Sequence, residues 1–234
     1  MKGRHILVSG SSSGIGRATS ELLLSSGAKV TGIARNHEQF QPNDENYNTV
    51  TLNLGDLNNI TNTITEIMTS SPDIDGLVNC AGFGKFGSLE NFSSEQIQAY
   101  INVNLISHLI VTRSVISQFK SSEMGDIIFM GSEAALRGSQ MGSLYCTVKF
   151  GIRGFAQSIR QESADKNIRV TIINPGMVRT EFFNHLKFRP GDDDKNAIEP
   201  SDVAKSILSV LSMRQGTVID EINLTPQKKV IKFD

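Results

Sequence analysis

The chain has 234 residues and a formal net charge of −1, with 38 % apolar and 20 % charged residues. That length suits one α/β domain with a large core and is short for two. The composition is that of an ordinary globular protein, and the charge balance gives no reason to expect nucleic acid or an anionic membrane as a partner.

The N-terminal Met1-Lys2-Gly3-Arg4-His5 is followed only by the short apolar run Ile6-Leu7-Val8. A secretory signal needs a longer apolar region, and no stretch of the sequence approaches the length of a membrane span. Two cysteines, Cys80 and Cys146, make no disulfide framework and no paired-ligand spacing, which fits a reduced, cytoplasmic setting. Strand-length apolar runs are expected at 6–9, 29–34, 49–54, 76–80, 126–131, 169–174 and 218–223. Most are continuous rather than alternating, as parallel strands covered on both faces require. Helical segments fall between them. Ser93 with Gln96 reads as a capping box opening one long helix through Ile97, Ile101, Leu105 and Leu109. The alternation predicts a doubly wound parallel sheet of Rossmann type, about seven strands with helices on both faces, in a single domain over 1–234. One irregular stretch, about 179–200, is long enough to be functional, and its Asp192, Asp193 and Asp194 read as a solvated acidic loop with no metal.

The first strand ends in Ser9-Gly10-Ser11-Ser12-Ser13-Gly14-Ile15-Gly16, and a helix follows at once. Glycines there let the backbone approach a pyrophosphate at a helix N-terminus. The spacing departs from Gly-x-Gly-x-x-Gly, so a glycine-rich turn without a ligand stays open at this point. The same residues match Gly-x-Ser-x-Gly, a nucleophile elbow with Ser12 as the nucleophile. A triad would then need His185, the only late histidine. Further on, Tyr145 and Lys149 lie four residues apart on one helix face. A lysine ammonium beside a tyrosine favours the phenolate, which makes a proton donor and acceptor for a carbonyl/alcohol pair. Ser132, at the end of the fifth strand, can donate to the substrate oxygen. Alone, Tyr-x-x-x-Lys is a common accident on a helix surface.

Together, the glycine turn, Ser132, Tyr145 and Lys149 resemble the short-chain dehydrogenase/reductase family in order and spacing. So do Val78-Asn79-Cys80-Ala81-Gly82, Asn102-Val103-Asn104-Leu105 and Asn174-Pro175-Gly176-Met177-Val178-Arg179-Thr180. The resemblance covers essentially the whole chain. It implies that Tyr145 is the general acid/base, that Lys149 tunes it and binds the nicotinamide ribose, and that Ser132 polarises the carbonyl. Asn104 would hold a water in a proton relay, although from the residues alone it is equally a buried, satisfied polar group. The implied cofactor site comprises Gly10, Ser12, Ser13, Gly14, Ile15, Gly16, Arg35, Asn53, Leu54, Asn79, Ala81, Gly82, Tyr145, Lys149, Pro175, Gly176, Val178 and Thr180.

The second strand ends in Ala34-Arg35, where cofactors lacking the 2′-phosphate are held by an acid. A guanidinium there suits that phosphate, so NADP(H) is the expected cofactor, with NAD(H) as the alternative. Ser13 stands where NADP-binding relatives often carry a second basic residue, and Asn53 where an aspartate is common. The expected function is interconversion of an alcohol with its ketone or aldehyde. A looser similarity of the C-terminal third (Phe182-Phe183-Asn184, Pro200-Ser201-Asp202, Glu221-Ile222-Asn223) to NADP-dependent 3-hydroxy acid dehydrogenases points to a small hydroxy acid. The expected pocket walls are Glu133, Ala134, Ala135, Leu136, Arg137, Met141 and the residues from Met177 through Phe188. Arg137 is either a carboxylate holder or surface charge. The alternative function is a redox sensor that binds dinucleotide without turnover. A homodimer or homotetramer is expected through the helices carrying Asn104 and Tyr145, with Leu109, Ile116, Ile152, Phe155 and Ile159 as candidate contacts.

Overall fold

The computed structural model describes residues 1–233. In chain order the main elements are β1 (His5–Ser9), α1 (Gly14–Ser25), β2 (Lys29–Ala34), β3 (Tyr47–Thr51), α2 (Leu57–Ser70) and β4 (Gly76–Asn79). Then come α3 (Ser94–Ile101), a π-helical turn (Asn102–Ile106), α4 (Ser107–Ser122), β5 (Gly125–Met130), α5 (Ser143–Glu162) and β6 (Ile168–Pro175). The chain closes with β7 (Phe188–Pro190), α6 (Pro200–Leu211), β8 (Glu221–Leu224) and β9 (Ile231–Phe233). Seven parallel strands pair in the order β3-β2-β1-β4-β5-β6-β8, as a Rossmann-type sheet should.

Both faces of this sheet are dry, which is why its central strands read as unbroken apolar runs. Successive side chains alternate between two cores. Ile6, Val8, Ile128 and Met130 pack with Leu23, Val203 and Ile207 of α1 and α6. Leu7, Ile127 and Phe129 pack with Ile60, Ile64, Val111, Val115 and Ile152 of α2, α4 and α5. The strand order reverses between β1 and β4, so a crevice opens at their C-terminal ends.

Several expectations need correction. The third strand lies earlier than 49–54, because the buried Leu52 and Leu54 belong to the connection after it, while the edge strand itself exposes Asn48, Thr49 and Thr51. The last sheet strand begins at Glu221, later than 218. The stretch at 179–200 is not irregular throughout: β7 pairs antiparallel with β9 at the chain's other end. Finally, the long helix opens with the expected capping box but is interrupted by the π turn. By length and composition alone, Ser94–Ser122 is long and apolar enough to cross a membrane, which corrects the expectation that no stretch approaches such a length. Its Val111, Val115 and Phe119 are instead packed in the core beneath the sheet. Ile152 is fully buried there too, so it cannot serve a subunit interface.

Candidate active site

The glycine turn sits at the crevice. Gly10 has φ +72°, and a Cβ there would stand 2.9 Å from the Ala81 backbone. A Cβ on Gly16 would stand 2.1 Å from the Gly10 carbonyl oxygen. The turn is therefore as tight as backbone permits, and α1 starts directly from it. Ser13, its N-cap, makes no side-chain cap bond, and the first turn carries no acid. Free amide donors at a positive helix end fit a pyrophosphate. Gly16→Ala is expected to destabilise the fold by about 1–3 kcal/mol through overpacking. A thermal melt should show a Tm lower by several degrees; an unchanged Tm would mean that the turn relaxes freely.

The other positions expected to hold the dinucleotide make different offerings. Arg35 directly follows β2, is exposed, and makes no hydrogen bond or ion pair among the described residues. Asn53 is exposed and accepts from the Gly55 amide at 3.0 Å. Leu54 buries its side chain in the core, which leaves only its main chain for a ligand, and Asn79 donates from its amide nitrogen to Thr112 (3.3 Å). Ile15, Gly82, Pro175, Gly176, Val178 and Thr180 line the cleft together with Ser132, Tyr145, Lys149 and Asn104. Ser12 and His185 are joined by no hydrogen bond among the described residues, which leaves the nucleophile elbow without its base.

Ser132 caps a short 3-10 turn, its hydroxyl accepting from the Ala134 amide at 3.1 Å. Its own amide donates to Asn174 Oδ1 at 3.3 Å, and Asn174 Nδ2 donates to Glu221 (2.9 Å) and Asn223 (3.0 Å). Asn174 thus ties the loop carrying Ser132 to β8, a contact that the Asn-Pro-Gly motif did not by itself reveal. Asn104 is buried on the π turn, donating to Tyr100 O at 3.0 Å and accepting from the Phe83 amide at 2.9 Å. One turn on, buried His108 donates to Ala81 O at 2.8 Å, and burial together with nearby Lys149 holds its pKa down at about 4. It therefore packs as a neutral ring that fixes the loop after β4.

Tyr145 is pushed up to about 12, chiefly by loss of water around its hydroxyl. The neighbouring Ser132 hydroxyl pulls in the opposite direction, and the Glu133 carboxylate adds to the rise. The expectation that Lys149 lowers it is corrected. Lys149 lies 5.8 Å from the Tyr145 ring centre and donates instead to Met130 O at 2.8 Å. Burial pulls Lys149 itself down to about 8. A tyrosine in its protonated form beside Ser132 is a proton donor for a developing alkoxide.

The substrate side also differs from expectation. Glu133, Ala134, Met141, Met177, Phe182, Phe183 and Phe188 line the cleft of about 730 Å³, but Ala135, Leu136 and Arg137 do not. Ala135 is buried, while Leu136 and Arg137 face solvent. Phe83, Phe86, Lys229, Ile231 and Phe233 line it as well and escaped the sequence reading. The Phe83-Gly-Lys-Phe86-Gly pattern after β4 is the one signal that pointed there. Asp192 pairs with Arg189 and Lys232, so the acidic loop fastens β7 to β9.

Fold and site together define an oxidoreductase acting on CH–OH or carbonyl groups. The chain belongs to the short chain dehydrogenase family, whose model matches residues 4–189. Sepiapterin reductase of Chlorobaculum tepidum is 28 % identical over 99 % of this chain and 100 % of its own length. The NADP-dependent 3-hydroxy acid dehydrogenase of Schizosaccharomyces pombe is 30 % identical over 97 % of this chain and 93 % of its own. Among solved structures, the closed form of serine dehydrogenase complexed with NADP+ matches at TM-score 0.84 and 27 % identity, over 94 % of each chain.

Proposed function

We propose that the chain is an NADP(H)-dependent carbonyl reductase or alcohol dehydrogenase. The carrying observation is the gathering of Ser132, Tyr145 and Lys149 in one cleft that opens onto the glycine turn. The names of the fission-yeast dehydrogenase and of the NADP+-bound serine dehydrogenase support the phosphorylated cofactor, and so does unpartnered Arg35. Gly10, Gly14 and Gly16 would hold the pyrophosphate by main chain, Arg35 the 2′-phosphate, and Lys149 the nicotinamide ribose. The bound cofactor supplies the hydride. Ser132 orients and polarises the carbonyl oxygen, and Tyr145 gives that oxygen its phenolic proton. In the reverse direction the phenolate takes the proton back. Lys149, cationic below about 8, would give the nicotinamide ribose a charged donor rather than act on the phenol directly. Asn104 keeps the π turn in place beneath them.

Titration of the full chain with NADPH and NADH by nicotinamide fluorescence, followed by oxidation of the preferred cofactor against a carbonyl panel, tests this reading. Failure to bind either cofactor would sink it. The titrations also predict a pH profile. Reduction needs the Tyr145 proton, held up to about 12, and the Lys149 ammonium, lost as pH rises through about 8. The kcat/KM for reduction should be level on the acid side of the Lys149 value and fall above it. A rate flat well beyond that value would remove the Lys149 charge from the mechanism.

A further inference from the structure

The part of the cleft next to the phenol is walled by aromatic rings. Phe86 lies 4.9 Å from Tyr145, Phe188 lies 5.0 Å from Phe86, and Phe183 lies 5.9 Å from Phe188. Phe182 follows at 5.1 Å from Phe183 and returns to Tyr145 at 5.9 Å. The rings come from the loop after β4, from α5 and from the segment leading into β7, yet they close a circuit of mostly edge-to-face contacts. At the mouth, Met141 and Ile231 are exposed, and Phe233, reached only because β9 pairs with β7, is 78 % exposed. Solvated apolar side chains gathered at a pocket rim mark a surface kept for a ligand.

The carboxylate beside the reacting centre is already paired with one of the cleft's ammonium groups. Glu133 is paired with Lys229 at 2.6 Å, and Lys149 is tied to the Met130 carbonyl. Arg137 lies outside the cleft, and His185 and Lys187 stand exposed at its mouth. A carboxylate one or two carbons from the reacting carbonyl would therefore be desolvated beside Glu133, with Lys229 already paired and no arginine in the cleft to clamp it, which disfavours it. A flat π-system, in contrast, continues the edge-to-face pattern of the wall.

We infer that the substrate is a ketone or aldehyde bearing a planar aromatic body, seated against Phe86, Phe182 and Phe188, rather than a short oxo or hydroxy acid. This rests on the reductase reading and narrows it. The test compares kcat/KM of the full chain with NADPH for 1-phenyl-1,2-propanedione, 2,3-butanedione and 3-oxobutanoate. The aryl dione should exceed butanedione by about tenfold or more, and the oxo acid should be poorest. Phe182→Ala and the milder Phe188→Leu should each shrink the aryl-to-butanedione ratio several-fold, with thermal melts run alongside to confirm folding. Equal values for the two diones, or a preference for the oxo acid, would overturn the aromatic assignment and leave the reductase reading standing. If none is turned over, calorimetric titration of the NADPH-loaded chain decides: tighter binding of the aryl dione supports the inference, and equal or absent binding overturns it. Absence of NADPH binding itself defeats the underlying reading instead.

Discussion

Tyr145→Phe is expected to lower kcat by about 10²–10⁴-fold, the range associated with loss of a positioned proton donor. The substitution removes one oxygen and keeps the ring, so the contacts with Phe86 at 4.9 Å and Phe182 at 5.9 Å persist. Cofactor binding should stay near that of the parent chain, because the glycine turn and Arg35 lie elsewhere. The steady-state signature is a fall in kcat and kcat/KM together with little change in NADPH affinity. Ser132 adds a second, smaller effect. The carbonyl it polarises loses, in the variant, the donor on its other side. Single-turnover measurement of NADPH oxidation separates these from slow product release. Retained turnover would remove Tyr145 from the chemistry. A parent chain that binds dinucleotide but turns over no carbonyl would favour the sensor instead.

The residues proposed to carry the chemistry were legible because their signals are local. Tyr145 and Lys149 share a helix face by spacing alone, and the glycine turn advertises its close approaches through its composition. The central strands were legible because burial on both faces leaves an unbroken apolar run. Edge strands lack that burial, and so the strand at Tyr47–Thr51 was displaced toward Leu52 and Leu54, whose burial comes from the core after the strand. The pairing of β7 with β9 joins segments forty residues apart through backbone hydrogen bonds, which leave no period in the sequence. Phe233 therefore could not be placed at the cleft in advance. The π turn was equally silent, since Ile97, Ile101, Leu105 and Leu109 keep a helical spacing across it. The direction of the Tyr145 shift was misjudged for a related reason. Spacing brings a lysine near a tyrosine but does not say which oxygen the ammonium will choose, and here it chose Met130 O.

Arg35→Ala is expected to weaken NADPH binding by roughly 10–100-fold, which corresponds to the ~1.5–3 kcal/mol of hydrogen bonds to a charged group. NADH, which lacks the 2′-phosphate, should be nearly unaffected. The other arginine nearby cannot easily substitute. Arg17 donates to Glu21 at 2.9 Å and to Gln39 O at 3.3 Å, and its guanidinium lies over the Phe40 ring. Ser13 offers a hydroxyl but no charge. The recognition is therefore concentrated in one exposed cation, which gives it a second signature. Added salt should weaken NADPH binding to the parent chain and have much less effect on the variant, because an exposed charge pair is screened. Arg35→Asp carries the argument to its opposite sign: a carboxylate there repels the phosphate and accepts from the ribose hydroxyls, so the preference should pass to NADH. Equal losses for both cofactors in Arg35→Ala would contradict the 2′-phosphate assignment and place Arg35 in a general role, steering any dinucleotide toward the crevice.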